Sequence, residues 1–407
     1  MTTTLAPDLQ ARVDTLTALA ATPGAEVYVP ADELDLEAWN HVGDPLCEAL
    51  ITLMRERKLM GGDLYANARR LETEGVAEAV AFFKDVETIP SWLDFDALHL
   101  GATMARRNPI GMIFGMHGGL PYTYIDPSTA EVMGATGRFA RGGDYERRFW
   151  ETATGFVGAL DVEGMKPGGE RWIQWVRIRF LHTMIRLGIH RSGRWARGDV
   201  ATPISQVASA GTAHIFGYYR VNIIRYFGGP VSDAEADSFN LMWRWVARIE
   251  GSNNQLLGRT REEQYALQAA NHEFLYGKST KAATLTADLI RGSASMKAFP
   301  LSARMHAAVV RNIMQPKMLE LLPLHDVPTD LGVKRDLRSQ ALISVLAFVL
   351  RNVHQVIRIP LVRSLYDRYS MRILEGVVNK GLGGVKPEYR GTPVAGTPTD
   401  EGARPAA

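Results

Sequence analysis

The segment Arg177-Ile-Arg-Phe-Leu-His182-Thr-Met-Ile-Arg186 holds the most suggestive chemistry in the chain. On a helix, Ile178, His182, Ile185 and Ile189 share one face, so the imidazole projects from an apolar stripe. A neutral imidazole there could form an axial bond to haem iron. Arg179 and Arg186, at i−3 and i+4, flank it where a propionate would need a cation. A hydrogen-bonded core histidine has the same spacing, and spacing alone favours it. In a second segment, Glu146-Arg147-Arg148-Phe-Trp-Glu151-Thr152, Arg148, Glu151 and Thr152 fall on one helical face. At a surface this is an ordinary ion pair worth little. Phe149, Trp150, Phe156 and Val157 leave the helix few solvent-facing positions, however, and a buried Arg–Glu–Thr face is costly unless paired or used.

Several familiar sites are excluded. The chain has no His-Glu-x-x-His, Gly-x-x-x-x-Gly-Lys, Glu-x-x-His or Gly-x-Ser-x-Gly sequence. That removes zinc-protease, P-loop, ferritin-like di-iron and nucleophile-elbow chemistry. The single cysteine, Cys47, excludes an intramolecular disulfide and a cysteine-based zinc site. Single-histidine ligation of a planar cofactor stays open, with His117 and His214 as competitors of His182. The other histidines read as surface or structural groups, and Trp172 and Trp175 as core.

The elements around these residues read as helices, because 3.6-residue periodicity dominates and hairpin signals are missing. Asp63 precedes a helix to about residue 84. Ser91 caps one over 92–107, stopped by Asn108-Pro109. A glycine-rich stretch follows, Gly111 to Gly119, which fits either a tightly packed helix or close approach of a flat ligand. Further helices are expected near 144–162, 169–188, 203–226, 232–250 (Ser232 and Glu235 forming a capping box), 260–276, 281–291, 300–320, 332–352 and 355–376. The predicted fold class is all-α: an N-terminal helical extension over 1–60, one large helical domain over 61–380, and a disordered Gly/Pro-rich tail over 381–407.

Lysine plus arginine (46) nearly cancels aspartate plus glutamate (44), which argues against a nucleic-acid partner. The apolar run Ala341 to Leu350 is far too short to span a bilayer and reads as a buried helix, so no membrane span is expected. No basic segment followed by an apolar core opens the chain, and the expected location is cytoplasmic.

Ile89-Pro-Ser-Trp-Leu-Asp94, the Arg148-x-x-x-Thr152 helix, the Arg-x-x-His182 helix and Pro203-Ile-Ser-Gln206 stand in an order and spacing that resemble one family. It is the haem-b oxygenase family of latex clearing protein (rubber oxygenase) and the fungal oxygenase of mycophenolic acid biosynthesis. The stretch from Asp233 through Trp243, Arg244 and Trp245 to Leu257 resembles its downstream block. The resemblance covers residues 85–280 well and the rest loosely. It implies an all-α, globin-reminiscent core holding haem b, with His182 as iron ligand. It also implies an activity in which O₂ attacks carbon–carbon double bonds of isoprenoid-like molecules.

By the same resemblance, Arg148 and Thr152 lie on the distal side, where the latex-clearing members carry a lysine in place of Glu151. A glutamate cannot cap iron as that lysine does. Glu131 lies near the position of the family's upstream base, and Arg179 and Arg186 remain the propionate candidates. Thr152 could hydrogen-bond dioxygen, and Glu151 in an apolar pocket could move a proton. The expected substrate is a small apolar molecule, since a polymer could not enter a cell. Two alternatives compete: a haem peroxidase or gas sensor, and a helical binding protein without a cofactor.

Overall fold

A computed structural model of the chain describes residues 4–136, 145–296, 301–315 and 325–384. Every regular element among them is helical, and none is a strand. Most of the tail expected over 381–407 lies outside the described residues.

At the centre, the Phe95–Arg106 helix packs against Asp233–Ile249. Gly101 makes their closeness possible: a Cβ there would stand 2.3 Å from the backbone nitrogen of Phe239. Ser238 fastens the crossing, accepting from the Gly101 N–H at 2.6 Å and donating to the Ala97 carbonyl at 2.5 Å. The capping box of Ser232 and Glu235 starts the second helix as expected. The glycine-rich stretch is a helix, Pro109–Tyr122, laid against Arg220–Tyr226. Cβ atoms at Gly111 and Gly115 would meet Ile224 and Arg220 at 2.8 and 3.0 Å. These two glycines therefore serve helix packing.

Several expected elements differ in detail. The helix expected from Asp63 to residue 84 is two helices, Leu64–Thr73 and Ala77–Glu87, broken where Gly75 takes φ +77°. Asp94, not Ser91, caps Phe95–Arg106, because Ser91 binds Glu26 through both its N–H and its hydroxyl. The helix expected over 203–226 carries a π-helical segment, Ile215–Tyr219. Such bulges re-aim the side chains beyond them and are frequent at functional sites. The run Ala341–Leu350 is not buried: within Leu337–His354 only Ser339, Ile343, Ala347 and His354 are. That narrow stripe packs on Ala303–Ile313 and leaves the opposite apolar side chains in solvent.

A buried ion-pair network joins four segments. The Arg179 guanidinium donates to both carboxylate oxygens of Asp44 at 2.7 and 2.9 Å and to Asp85 at 3.0 Å. Arg248 donates to the same Asp85 carboxylate at 2.5 Å, and the Gly24 N–H adds a further bond at 3.0 Å. Asp44 also caps Pro45–Glu56, whose Cys47, Leu50 and Met54 enter the main core. Burial alone would raise the Asp85 pKa, but Arg248 and Arg179 outweigh it and hold the carboxyl well below its usual range.

Stability should depend on that charge. With a folded-state pKa below the unfolded value, Asp85 stabilises above about pH 4, and its contribution fades as pH falls toward the folded pKa. Asp85→Asn should therefore lose about 3–5 kcal/mol at neutral pH, the cost of unpairing buried charge. Its chemical denaturation midpoint should also fall less steeply than the wild type's below pH 4.

Candidate functional site

The His182 helix runs Glu170–Ser192, and its rotation is fixed three residues earlier by Arg179. With Arg179 turned toward Asp44 and Asp85, the imidazole of His182 opens onto the cavity between this helix and its neighbours. The cavity has a volume of about 250 Å³. Trp175, Phe156, Phe216 and Trp243 give it flat apolar walls, and Phe216 comes from the π-helical segment. Among the described residues its charged side chains are Arg148, Glu151 and Glu250, and its one imidazole is His182.

Glu250 was not among the residues singled out from sequence. It ends the Asp233–Ile249 helix as C-cap, with its carboxylate oxygen 3.7 Å from Nδ1 of His182. Burial pushes this carboxyl up to about 8, with Arg179 pulling the other way. The separation is longer than a hydrogen bond. An acid at a helix C-terminus opposes the helix dipole, and that mismatch was the sequence signal for it.

Glu250 is aimed by the turn that follows. Gly251 takes φ +94°, and a Cβ there would lie 2.6 Å from Asp44 Oδ2 and 2.7 Å from Arg179 Nε. Gln206 clasps the same turn: its amide nitrogen donates to the Gly43 and Gly251 carbonyls at 2.7 and 2.9 Å, and its amide oxygen accepts from the Asn253 N–H. Pro203-Ile-Ser-Gln206 is thus a structural clasp. Within it, Ile204 takes φ +51°, a strained conformation for a β-branched residue, while lining the cavity.

Arg148, Glu151 and Thr152 all line the cavity, as their shared face predicts. Arg147 holds Glu151, its Nε 3.1 Å from the carboxylate. The Thr152 hydroxyl donates to the Arg148 carbonyl at 2.9 Å.

Three other predicted residues lie elsewhere. Arg179 and Arg186 do not reach the cavity. Arg179 is spent on the two aspartates, and Arg186 donates to the Pro203 and Ile204 carbonyls and to Glu48. Arg186 thereby steadies the strained Ile204 and has no reach left for a propionate. Glu131 pairs with Lys281, while its helix turns Val132, Met133 and Thr136 into the cavity. Trp175 belongs to the main core, as expected, and also forms a wall of the cavity. Of the competing histidines, His117 is buried against His306, rings 5.0 Å apart, and burial pulls its pKa down to about 3. His214 is buried with Nε2 facing the Leu256 carbonyl. Neither lines the cavity.

The donor set fits a haem. One imidazole faces an acid across its other nitrogen, the walls are flat and aromatic, and a guanidinium, Arg148, is within the lining. Among the described residues no cluster of three or more His, Cys, Asp or Glu could hold a metal ion.

Fold and cavity together define a helical protein built around one large apolar site. Its sequence matches, over residues 102–352, the family described as "ER-bound oxygenase mpaB/B'/Rubber oxygenase, catalytic domain". The chain belongs to this oxygenase family. It is 26% identical over 183 residues to the rubber oxygenase of Streptomyces sp. (strain K30), covering 44% of each protein, so the alignment spans less than half of that relative. Its fold is similar to that of latex clearing protein in the closed state, with a TM-score of 0.60 at 16% identity, covering 89% of this chain and 94% of that one.

Gly251 offers a direct test of the clasp. Gly251→Ala should cost more stability than the about 1–3 kcal/mol of backbone strain alone. Gly75→Ala, also at positive φ but with no atom within 4 Å of the added Cβ, should cost the strain only. Thermal melts of the two variants compare them.

Proposed function

We propose that the chain is a haem-b-dependent oxygenase that uses O₂ on an apolar, unsaturated, isoprenoid-like small molecule. The observation that carries this reading is His182, backed by Glu250, opening onto a cavity with flat aromatic walls. Bound haem would supply the centre at which O₂ is activated.

The protein's own groups divide the remaining work. His182 would hold the iron through Nε2, its Nδ1–H directed at Glu250, which fixes the tautomer and makes the imidazole a stronger donor. Arg148 takes the propionate role that Arg179 and Arg186 cannot fill. Thr152 has a hydroxyl that can swing from the Arg148 carbonyl to a polar atom in the cavity. Glu151, tethered by Arg147, offers a fixed acceptor for a proton. The aromatic walls exclude water and orient a substrate that offers few hydrogen bonds. A cytoplasmic location suits a small metabolite better than a polymer.

Two outcomes test this. The purified, haem-loaded protein should incorporate oxygen from ¹⁸O₂ into an isoprenoid probe such as squalene. Turnover with hydrogen peroxide and no need for O₂ would instead make it a peroxidase. Glu151→Gln, close to isosteric, should keep the haem spectrum and lower kcat by about 10²-fold or more, the range of a lost proton-handling group. Measured above about pH 8, where Glu250 is ionised, Glu250→Gln should keep haem and raise its reduction potential, since the weaker acceptor leaves His182 a poorer donor. Spectroelectrochemistry reads that shift.

A further inference from the structure

The two helices that close the described chain, Leu337–His354 and Pro360–Gly381, carry an apolar surface that the other described residues do not cover. Of the large hydrophobic side chains exposed among the described residues, 13 of 19 fall between Leu337 and Val377. On the first helix Leu342, Val345, Val349 and Val353 recur at helical spacing, and Phe348 is 64% exposed beside them. Val356 and Ile359 continue the stripe across the joint. On the second helix Leu361, Leu365, Tyr369, Ile373 and Val377 recur every four residues, along a helix about 33 Å long.

Charge follows the same pattern. The two helices hold Arg338, Arg351, Arg363, Arg368, Arg372 and Lys380 against only Asp367 and Glu375. All six cations are exposed. Both acids are turned to the body of the protein: Asp367 takes two bonds from Arg107 at 2.5 and 2.6 Å, and Glu375 takes one from Arg171 at 2.5 Å. On these two helices the outward face is therefore apolar, and their fully exposed charges are all cationic. No described helix is long and apolar enough to cross a membrane.

We propose that this face lies on the surface of an anionic lipid bilayer, its aliphatic and aromatic side chains at the acyl boundary and its arginines among the headgroups. A helix with an apolar stripe, exposed arginines and no outward acid matches that interface. A second copy of the chain would fit the apolar stripe but would set these cations against one another, with both local acids already paired. The Pro360–Gly381 helix rests on Tyr145–Gly158, the helix of Thr152, and a Cβ at Gly381 would strike the Trp150 ring. Docking would thus place the bilayer beyond the Thr152 helix, on its side away from the cavity. The proposal stands on exposure and charge, independently of any haem.

Flotation of the full chain with vesicles tests it, beside light scattering for oligomeric state. Binding is expected to vesicles of phosphatidylglycerol and phosphatidylcholine, and to weaken strongly with phosphatidylcholine alone or high salt. Arg368→Ala with Arg372→Ala should lower partitioning roughly 30-fold, two charges' worth at an anionic surface, with an unchanged melting temperature. Leu365→Glu with Ile373→Glu, both exposed, should abolish binding while the circular dichroism melt is retained. A monomer that ignores anionic vesicles overturns the proposal. So does vesicle binding indifferent to both variant pairs, or a dimer that the Leu365/Ile373 variant dissociates, which would assign the face to a second copy.

Discussion

The Arg179 ion pairs are the constraint on which the site depends. One guanidinium, buried among Asp44 and Asp85, sets the rotation of the His182 helix and draws in the N-terminal segment through Asp44. It also leaves the chain after Glu250 no room for any side chain, so Gly251 must pass beside it. Isolated, such a cluster is a poor source of stability, because desolvation consumes most of its Coulombic gain. Its value here lies in geometry. Two helices distant in sequence are locked so that His182 and Glu250 face each other at the edge of an apolar cavity.

The same network explains why some of the site was legible in the sequence and some was not. The all-α class followed from periodicity, and the shared face of Arg148, Glu151 and Thr152 followed from helical spacing, since both are local properties. Arg179 and Arg186 misled for an equally physical reason. Spacing places a Cα on a face of a helix, but a long flexible side chain goes where its partner is, and Asp44, Asp85 and Glu48 are remote in sequence. Glu131 failed by phase: its helix presents Val132, Met133 and Thr136 to the cavity instead. Glu250 was missed because its meaning comes only from a contact across helices.

The C-terminal helices show the complementary case. An apolar run bounded by arginines predicts burial only if something is there to cover it, and the other described residues cover just the stripe of Ile343 and Ala347. The site and this surface are joined through the Thr152 helix, which lines the cavity on one side and supports Pro360–Gly381 on the other. Two departures from regular structure lie at the cavity as well. The π-helical segment at Phe216 and the positive φ of Ile204 both contribute lining residues, which places local strain where a ligand would contact it.

The absorbance spectrum of the protein purified with haem, beside that of His182→Ala, tests the central claim most directly. The account predicts a Soret band in the wild type that collapses or shifts in the variant while the fold, read by circular dichroism, is retained. A wild type with no Soret band, or a band unchanged when His182 is removed, would contradict it.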